Sequence, residues 1–428
     1  MSTVGIVCEY NPFHKGHEYQ INKAKELSGA EHVVCFMSGN FVQRGLPAMA
    51  DKYTRAGMAL SCNADIVFEI PFVFATASAR DYATAAVDMM NKLGIDYISF
   101  GAETDDLTLL YEISDIIENE PPFVSEGIKK YMSQGGSYGF ARANAISDYL
   151  FGDSLANESA DKLSAKKYSK EEMDAILKSP NNILAIEYIC ALKRSHSSIK
   201  PVPVTRSTSS YNSTSTENDL CSATAIRQLL DKAPDKNLAR HVPLPVWDIL
   251  KDSYGKTLPV FSDSLSQIFQ AIRITDNGAS YLNFNDIVDL DKDLVNRLSA
   301  LPINLSYNEV IAALCCRNYT ATHISRGLLH YILGLDMSTY SNFKNKGWIY
   351  YAKLLGFKRE KSFIIGDMKK TADIPILTKT SKDIKALSPI GQIMHDYDIK
   401  AARLYSNLVY NTFGTDIGDD FSKTVVII

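Results

Sequence analysis

Several things are missing from this 428-residue sequence, and each absence removes a class of function. No run approaches the ~18 consecutive apolar residues of a membrane-spanning helix. The first residues lack the basic start, apolar core and small-residue cleavage site of an export signal, so a cytoplasmic protein without a membrane partner is expected. The seven cysteines (Cys8, Cys35, Cys62, Cys190, Cys221, Cys315, Cys316) form no C-x-x-C pair and lie mostly in apolar runs. Neither a zinc site nor a disulfide framework follows from them; buried, reduced thiols do. No acidic cluster suggests a protein-held metal, and no internal repeat is visible. Net basicity is also absent, with 45 Lys and Arg against 49 Asp and Glu for a formal charge of −4. If nucleic acid is a partner, a local patch must bind it.

What is present is an alternation of short β-branched runs with helical segments, in a chain long enough for roughly two to three domains. Thr3–Cys8 reads as a buried strand and 18–27 as a helix. Strands are expected at 32–37, 65–70 and 95–100, with helices over 51–62, capped by Asp51, and 79–93. Residues 105–150 turn helical, broken at Pro121-Pro122 and Gly135-Gly136, and 199–205, with two prolines, reads as an edge strand. Strands alternating with helices predict an α/β fold with a doubly wound parallel sheet. Residues 151–179 are polar and read as a surface excursion or lid. Eight of the ten residues 207–216 are Ser or Thr, which predicts a flexible loop.

The strand 3–8 ends in Cys8-Glu9-Tyr10-Asn11-Pro12-Phe13-His14-Lys15-Gly16-His17. At the carboxyl edge of an α/β sheet, a following helix offers backbone N–H groups and a positive dipole end to an anion. His14 and His17 can both donate to phosphate oxygens, and Gly16 lets a ligand approach the backbone. The same string also suits a tight turn with two surface histidines. The turns after the first, second and fourth strands open on one edge, which gathers His14, His17, Ser38, Asn40, Gln43, Arg44 and Gly101 around one crevice. Further along, Ser222-Ala223-Thr224-Ala225-Ile226-Arg227 starts a helix that is either simply capped by Ser222 or an anion cradle.

The string Asn11-Pro12-Phe13-His14-Lys15-Gly16-His17 resembles the HxGH signature of the HIGH-type nucleotidylyltransferase superfamily. Together with Ser38-Gly39-Asn40-Phe41-Val42-Gln43-Arg44-Gly45 and Ser222–Arg227, it resembles the bacterial tRNA(Met) cytidine acetate ligase family. The resemblance implies a Rossmann-like ATP-binding unit over 1–232, with His14, His17 and Arg227 as catalytic residues. It implies ATP contacts from Val7, Cys8, Glu9, Tyr10, Asn11, Pro12, Phe13, His14, Lys15, Gly16 and His17. Gly101, Asn181 with Asn182 as the near alternative, Arg206, Ser222, Thr224 and Arg227 complete that set. It further implies an ATP-dependent ligase that makes acetyl-adenylate from acetate and passes the acetyl group to N4 of the wobble cytidine of elongator tRNA(Met). ATP, with Mg²⁺ on its phosphates, is the expected co-substrate.

Beyond Pro234, Pro243, Pro245 and Pro259 a mainly helical domain, 233–428, is expected. Its helices read as 264–274, 291–300, 307–316 and 321–335, with a closing strand within 424–428. Between Lys344 and Lys385 eleven Lys and Arg face four acids, net +7, interleaved with Trp348, Tyr350, Tyr351, Phe357 and Phe363. Such a stripe suits RNA, and Lys358, Arg359, Lys361, Lys369 and Lys370 join Ser38, Asn40, Gln43 and Arg44 as substrate or RNA candidates. The same pattern also describes a solvated charged face over an aromatic core. Two other functions remain open at this stage: a small-molecule adenylyltransferase and a non-catalytic RNA-binding protein with a relic nucleotide pocket.

Overall fold

The computed structural model describes residues 2–152, 167–205, 222–230, 236–275 and 286–428. Thr3–Cys8 (β1), His32–Ser38 (β2), Ile66–Ile70 (β3) and Tyr97–Ala102 (β4) are parallel strands, joined on the outer side of β4 by Lys200–Thr205 (β5). Ala352–Phe357 (β6), Ile376–Leu377 (β7) and Val426–Ile427 (β8) come from the second half of the chain. The sheet order is β5-β4-β1-β2-β3-β6-β7, with β8 also paired to β6. The doubly wound α/β expectation is therefore met, and β5 sits at the edge where its prolines leave no central ladder bond unmade.

Helix Lys15–Ser28 (α1) starts earlier than the sequence suggests, because His14 caps it, and it ends on Gly29 in the left-handed conformation. Lys52–Ser61 (α2) is capped by Asp51, whose Oδ1 accepts from Tyr53 N at 2.9 Å and Thr54 N at 3.2 Å. β4 begins two residues later than 95, since Ile95 N still donates to Met90 O as the preceding helix Ala79–Leu93 unwinds through Gly94. Alternate residues of β2 feed different cores: Val34 and Phe36 face helices 79–93 and 180–194, while Val33, Cys35 and Met37 face α1 and α2. A sheet buried on both faces explains why these strands read as unbroken apolar runs.

Residues after 236 are mainly helical, as expected, and the expected helices stand at Ser266–Thr275, Lys292–Ala300, Tyr307–Leu314 and Ala321–Leu333. The long helix Pro389–Phe413 and strand β6 were not anticipated. β6 runs antiparallel to β3, pairing Ile66 with Phe357 and Glu69 with Lys353, so the second half extends the first half's sheet. The expected boundary near 232 falls at 231–235, outside the described residues. Of the excursion 151–179, residues 153–166 are also outside them, and Lys170–Lys178 forms a helix capped by Ser169. No helix among the described residues is long and apolar enough to cross a membrane.

The junction is ionic. Lys52 Nζ lies 2.8 Å from both Glu69 carboxylate oxygens and 2.7 Å from Asp420 Oδ2, and Lys353 Nζ bonds the same Asp420 oxygen, all nearly fully buried. Nearby, Asp398 accepts from Phe72 N at 2.7 Å and Tyr351 OH at 2.5 Å. Burial and the Glu69 carboxylate push the Asp398 carboxyl up to about 7. The folded protein therefore keeps a proton that the unfolded chain loses from about pH 4 upward, so this group costs stability as pH rises from about 4 to about 7. Urea unfolding across that range should show Asp398→Asn gaining stability relative to the parent as pH increases. A difference independent of pH would contradict the assignment.

Candidate active site

Strand order reverses at β1, with β2 and β3 on one side and β4 and β5 on the other, and the carboxyl ends of β1 and β4 border a cavity of about 710 Å³. This is the topological switch point at which open α/β sheets bind ligands. From β1 and its turn the cavity is lined by Val7, Cys8, Glu9, Tyr10, Asn11, His14, Gly16 and His17. Pro12, Phe13 and Lys15 do not line it; Phe13 is buried against the rings of Tyr10 and His17 at 4.7 and 5.6 Å. Burial raises the Cys8 thiol well above its ordinary range, so the cavity floor holds a neutral thiol and not a thiolate nucleophile.

The backbone N–H groups at the start of α1 are not open as the sequence reading expects. The first backbone N–H groups of α1 are already bonded: Lys15 N to His241 O, Gly16 N to His14 Nδ1 at 3.1 Å, and His17 N and Glu18 N to His14 O. His14 N in turn donates to His17 Nδ1 at 3.3 Å, and the two rings stack with centroids 3.7 Å apart. Because each Nδ1 accepts, each neutral ring carries its proton on Nε2, which makes Nε2–H the donor of each ring. Gly16 also has a local reason: a Cβ there would come within 2.9 Å of the His14 ring.

Opposite this turn, Ser222, Ala223, Thr224, Arg227 and Gln228 line the cavity from helix Ala223–Leu230 and its cap. Ser222 Oγ accepts from Ala225 N at 3.2 Å. Arg227 donates to Asn11 O at 2.8 Å and to Thr224 Oγ1 at 3.0 Å, so one guanidinium links the two motifs across 216 residues of chain. At the β4 end, Gly101, Glu103 and Asn181 line the cavity, and Asn181 Nδ2 donates to Glu103 Oε1 at 2.6 Å. Asn182 is fully buried instead, its Oδ1 holding Glu103 N at 2.9 Å. Arg206 lies outside the described residues.

The turn after β2 brings Gln43 and Arg44 to the cavity but not Ser38 or Asn40. Ser38 is buried at 3.3 Å from Tyr82 OH, and Asn40 Oδ1 caps Lys52 N at 2.9 Å. Beneath them lies the buried guanidinium of Arg55. It donates to Ala50 O at 2.9 Å, Glu9 O at 2.5 Å, Ser38 O at 3.1 Å and Gly39 O. Glu9 Oε1 in turn accepts from Gln43 N at 2.9 Å.

The profile of the HIGH nucleotidyl transferase family matches residues 1–418. Over their full lengths this chain and the tRNA(Met) cytidine acetate ligase of Acetivibrio thermocellus are 33% identical across 439 aligned positions. The chain belongs to the tRNA(Met) cytidine acetate ligase family of HIGH nucleotidyl transferases. The ligase of Clostridium novyi is 34% identical over 95% of this chain and 100% of its own. Crystal structures of Thermotoga maritima TmcAL, apo and bound with alpha-thio ATP, superpose with TM-scores of 0.88 and 0.86 at 27% identity, each covering both chains fully.

In this acetate ligase family chain the basic stripe is divided. Lys353 is buried in the ionic junction, Tyr351 is buried, and Trp348, Tyr350 and Phe357 are partly buried in the core. The aromatics follow the aromatic-core reading, whereas the buried Lys353 follows neither the solvated-face reading nor the RNA-binding one. Lys358, Arg359 and Lys361 stand at the amino-terminal edge of the parallel strands, away from the cavity: Lys358 N donates to Asp65 O, and β6 ends opposite the start of β3. Arg359, Lys369 and Lys370 are exposed. Sequence reasoning passed over Arg55, Glu69 and Glu103. An arginine among the apolar residues of helix 52–61 and an acid, Glu69, between Phe68 and Ile70 were the available signals, since such charges are buried only with partners. Arg55→Lys leaves one ammonium to serve four carbonyl oxygens, and should cost at least ~2 kcal/mol in urea unfolding while weakening ATP binding. Unchanged stability and affinity would refute the clamp.

Proposed function

We propose that this protein activates acetate with ATP and transfers the acetyl group to N4 of the wobble cytidine of elongator tRNA(Met), in the cytoplasm. The observation that carries the reading is the meeting of His14, His17, Ser222, Thr224 and Arg227 on one cavity at the β1/β4 switch point. The tRNA(Met) cytidine acetate ligases that match the chain from end to end support it, and the alpha-thio ATP complex of the Thermotoga maritima protein supports ATP as co-substrate.

In the first step an acetate oxygen attacks the α-phosphorus of ATP, and the bond to the β-phosphate oxygen breaks with pyrophosphate leaving. The Nε2–H groups of His14 and His17 and the Arg227 guanidinium stabilise the charge that builds on the α-phosphate and the departing group. Mg²⁺ enters with ATP, as the Mg·ATP substrate. In the second step N4 attacks the acetyl carbonyl carbon. The carbon–oxygen bond to the phosphate breaks, AMP leaves with the electron pair, and the N4 proton passes to water. Residues 1–232 carry the adenylation, and the exposed basic surface of 233–428 holds the RNA body.

Labelled acetate and ATP, with and without tRNA(Met), test the whole reading: pyrophosphate release with label on the tRNA supports it, and label on no RNA refutes it. His14→Ala and His17→Ala should each lower acetate-dependent ATP–pyrophosphate exchange about 100- to 1,000-fold while leaving tRNA affinity nearly unchanged. Arg359→Glu with Lys369→Glu and Lys370→Glu should do the opposite, weakening tRNA binding and making the slope of log affinity against log salt shallower by about one for each phosphate no longer neutralised. Parallel loss of exchange and tRNA binding in both sets would end the division of labour between the two halves.

A further inference from the structure

Topology divides the cavity into zones. The β4 side, with Gly101, Glu103 and Asn181, and the central clamp of His14, His17 and Arg227 together span what an adenylate requires. The remaining wall, over β2, is built by Val42, Leu46, Pro47 and Met49 with Gln43 and Arg44, and by Val260, Phe261 and Ser262 from the second half of the chain. These last residues are anchored on both sides of Phe261. Val260 N donates to Met49 O at 3.1 Å, and Ser262 Oγ to Asn308 Oδ1 at 2.8 Å. Val260 and Leu265 are buried, yet Phe261 between them is 42% exposed while it lines the cavity. A rigidly held segment thus presents a phenyl face outside the core.

We infer that Phe261 is the platform on which the acceptor cytosine stacks during acetyl transfer, an assignment that rests on the ligase reading above. For N4 to reach an acyl carbon held at the α-phosphate, the cytosine must leave the anticodon stack, and an aromatic face in the cavity returns the stacking it loses. Tyr19, the other strongly exposed aromatic ring on the lining, is carried by α1, which packs mainly against β4 and β5 and more lightly against β1 and β2, so it lies toward the adenylate side. Phe261, held beside Met49 through Val260, lines the wall that follows β2.

The test separates the two half-reactions in the full-length protein. Phe261→Ala and Phe261→Leu should each slow acetyl transfer to tRNA(Met) roughly 10- to 100-fold, the effect of losing one stacked base. Acetate-dependent ATP–pyrophosphate exchange should keep its rate and its KM for ATP. Phe261→Tyr and Phe261→Trp should restore transfer. Undiminished transfer by Phe261→Ala, rescue by Leu as good as that by Trp, or a parallel fall in exchange would each overturn the assignment. Absence of acetate-dependent exchange in the unsubstituted protein would instead overturn the ligase reading, and this assignment with it.

Discussion

The buried guanidinium of Arg55 is the constraint on which the site depends. Strands β1 and β2 each end in carbonyl groups that have left the ladder, and a planar cation with several donors in a fixed fork can take them at once. By bonding Glu9, Ser38, Gly39 and Ala50, Arg55 joins the start of the histidine turn to both ends of the loop after β2. Desolvation lowers its pKa, but four carbonyl dipoles around it compensate the charge. The positions of His14, His17 and Gln43 follow from that fixed floor.

The second half of the chain fixes the other wall. Ser325 Oγ donates to Gly45 O at 3.0 Å, Tyr405 OH to Ala48 O at 2.8 Å, and Val260 N to Met49 O. Gly45 has φ +73°, and a Cβ on it would come within 2.5 Å of the Arg326 backbone nitrogen, so this turn and helix Ala321–Leu333 meet backbone to backbone. Lys353 and Asp420 enter the sheet's ionic junction from the same half. The second half of the chain and the cavity at the β1/β4 switch point are thereby parts of one continuous packing.

Much of this was legible locally. The strand ends, the Asp51 cap, the breaks at Pro121-Pro122 and Gly135-Gly136 and the edge position of β5 follow from propensity, capping and proline chemistry within a few residues. Strand β6 was not legible, because its Lys353 and flanking tyrosines look like surface residues until their partners are known. Nor was the occupation of the α1 backbone N–H groups, since His241, which takes one of them, lies 226 residues along the chain from Lys15.

By itself the sequence determined the alternation of strands and helices, and the HxGH string and the Ser222–Arg227 helix start that carry the family resemblance. These depend on contacts within a turn or a helix, which adjacent residues settle. Only the tertiary structure decided that the histidines present Nε2, that Asn181 and not Asn182 faces the cavity, that Ser38 and Asn40 support it from below, and that Phe261 reaches it. Those outcomes depend on burial and on long-range hydrogen bonds, where the partner that satisfies a polar group can stand anywhere in the chain.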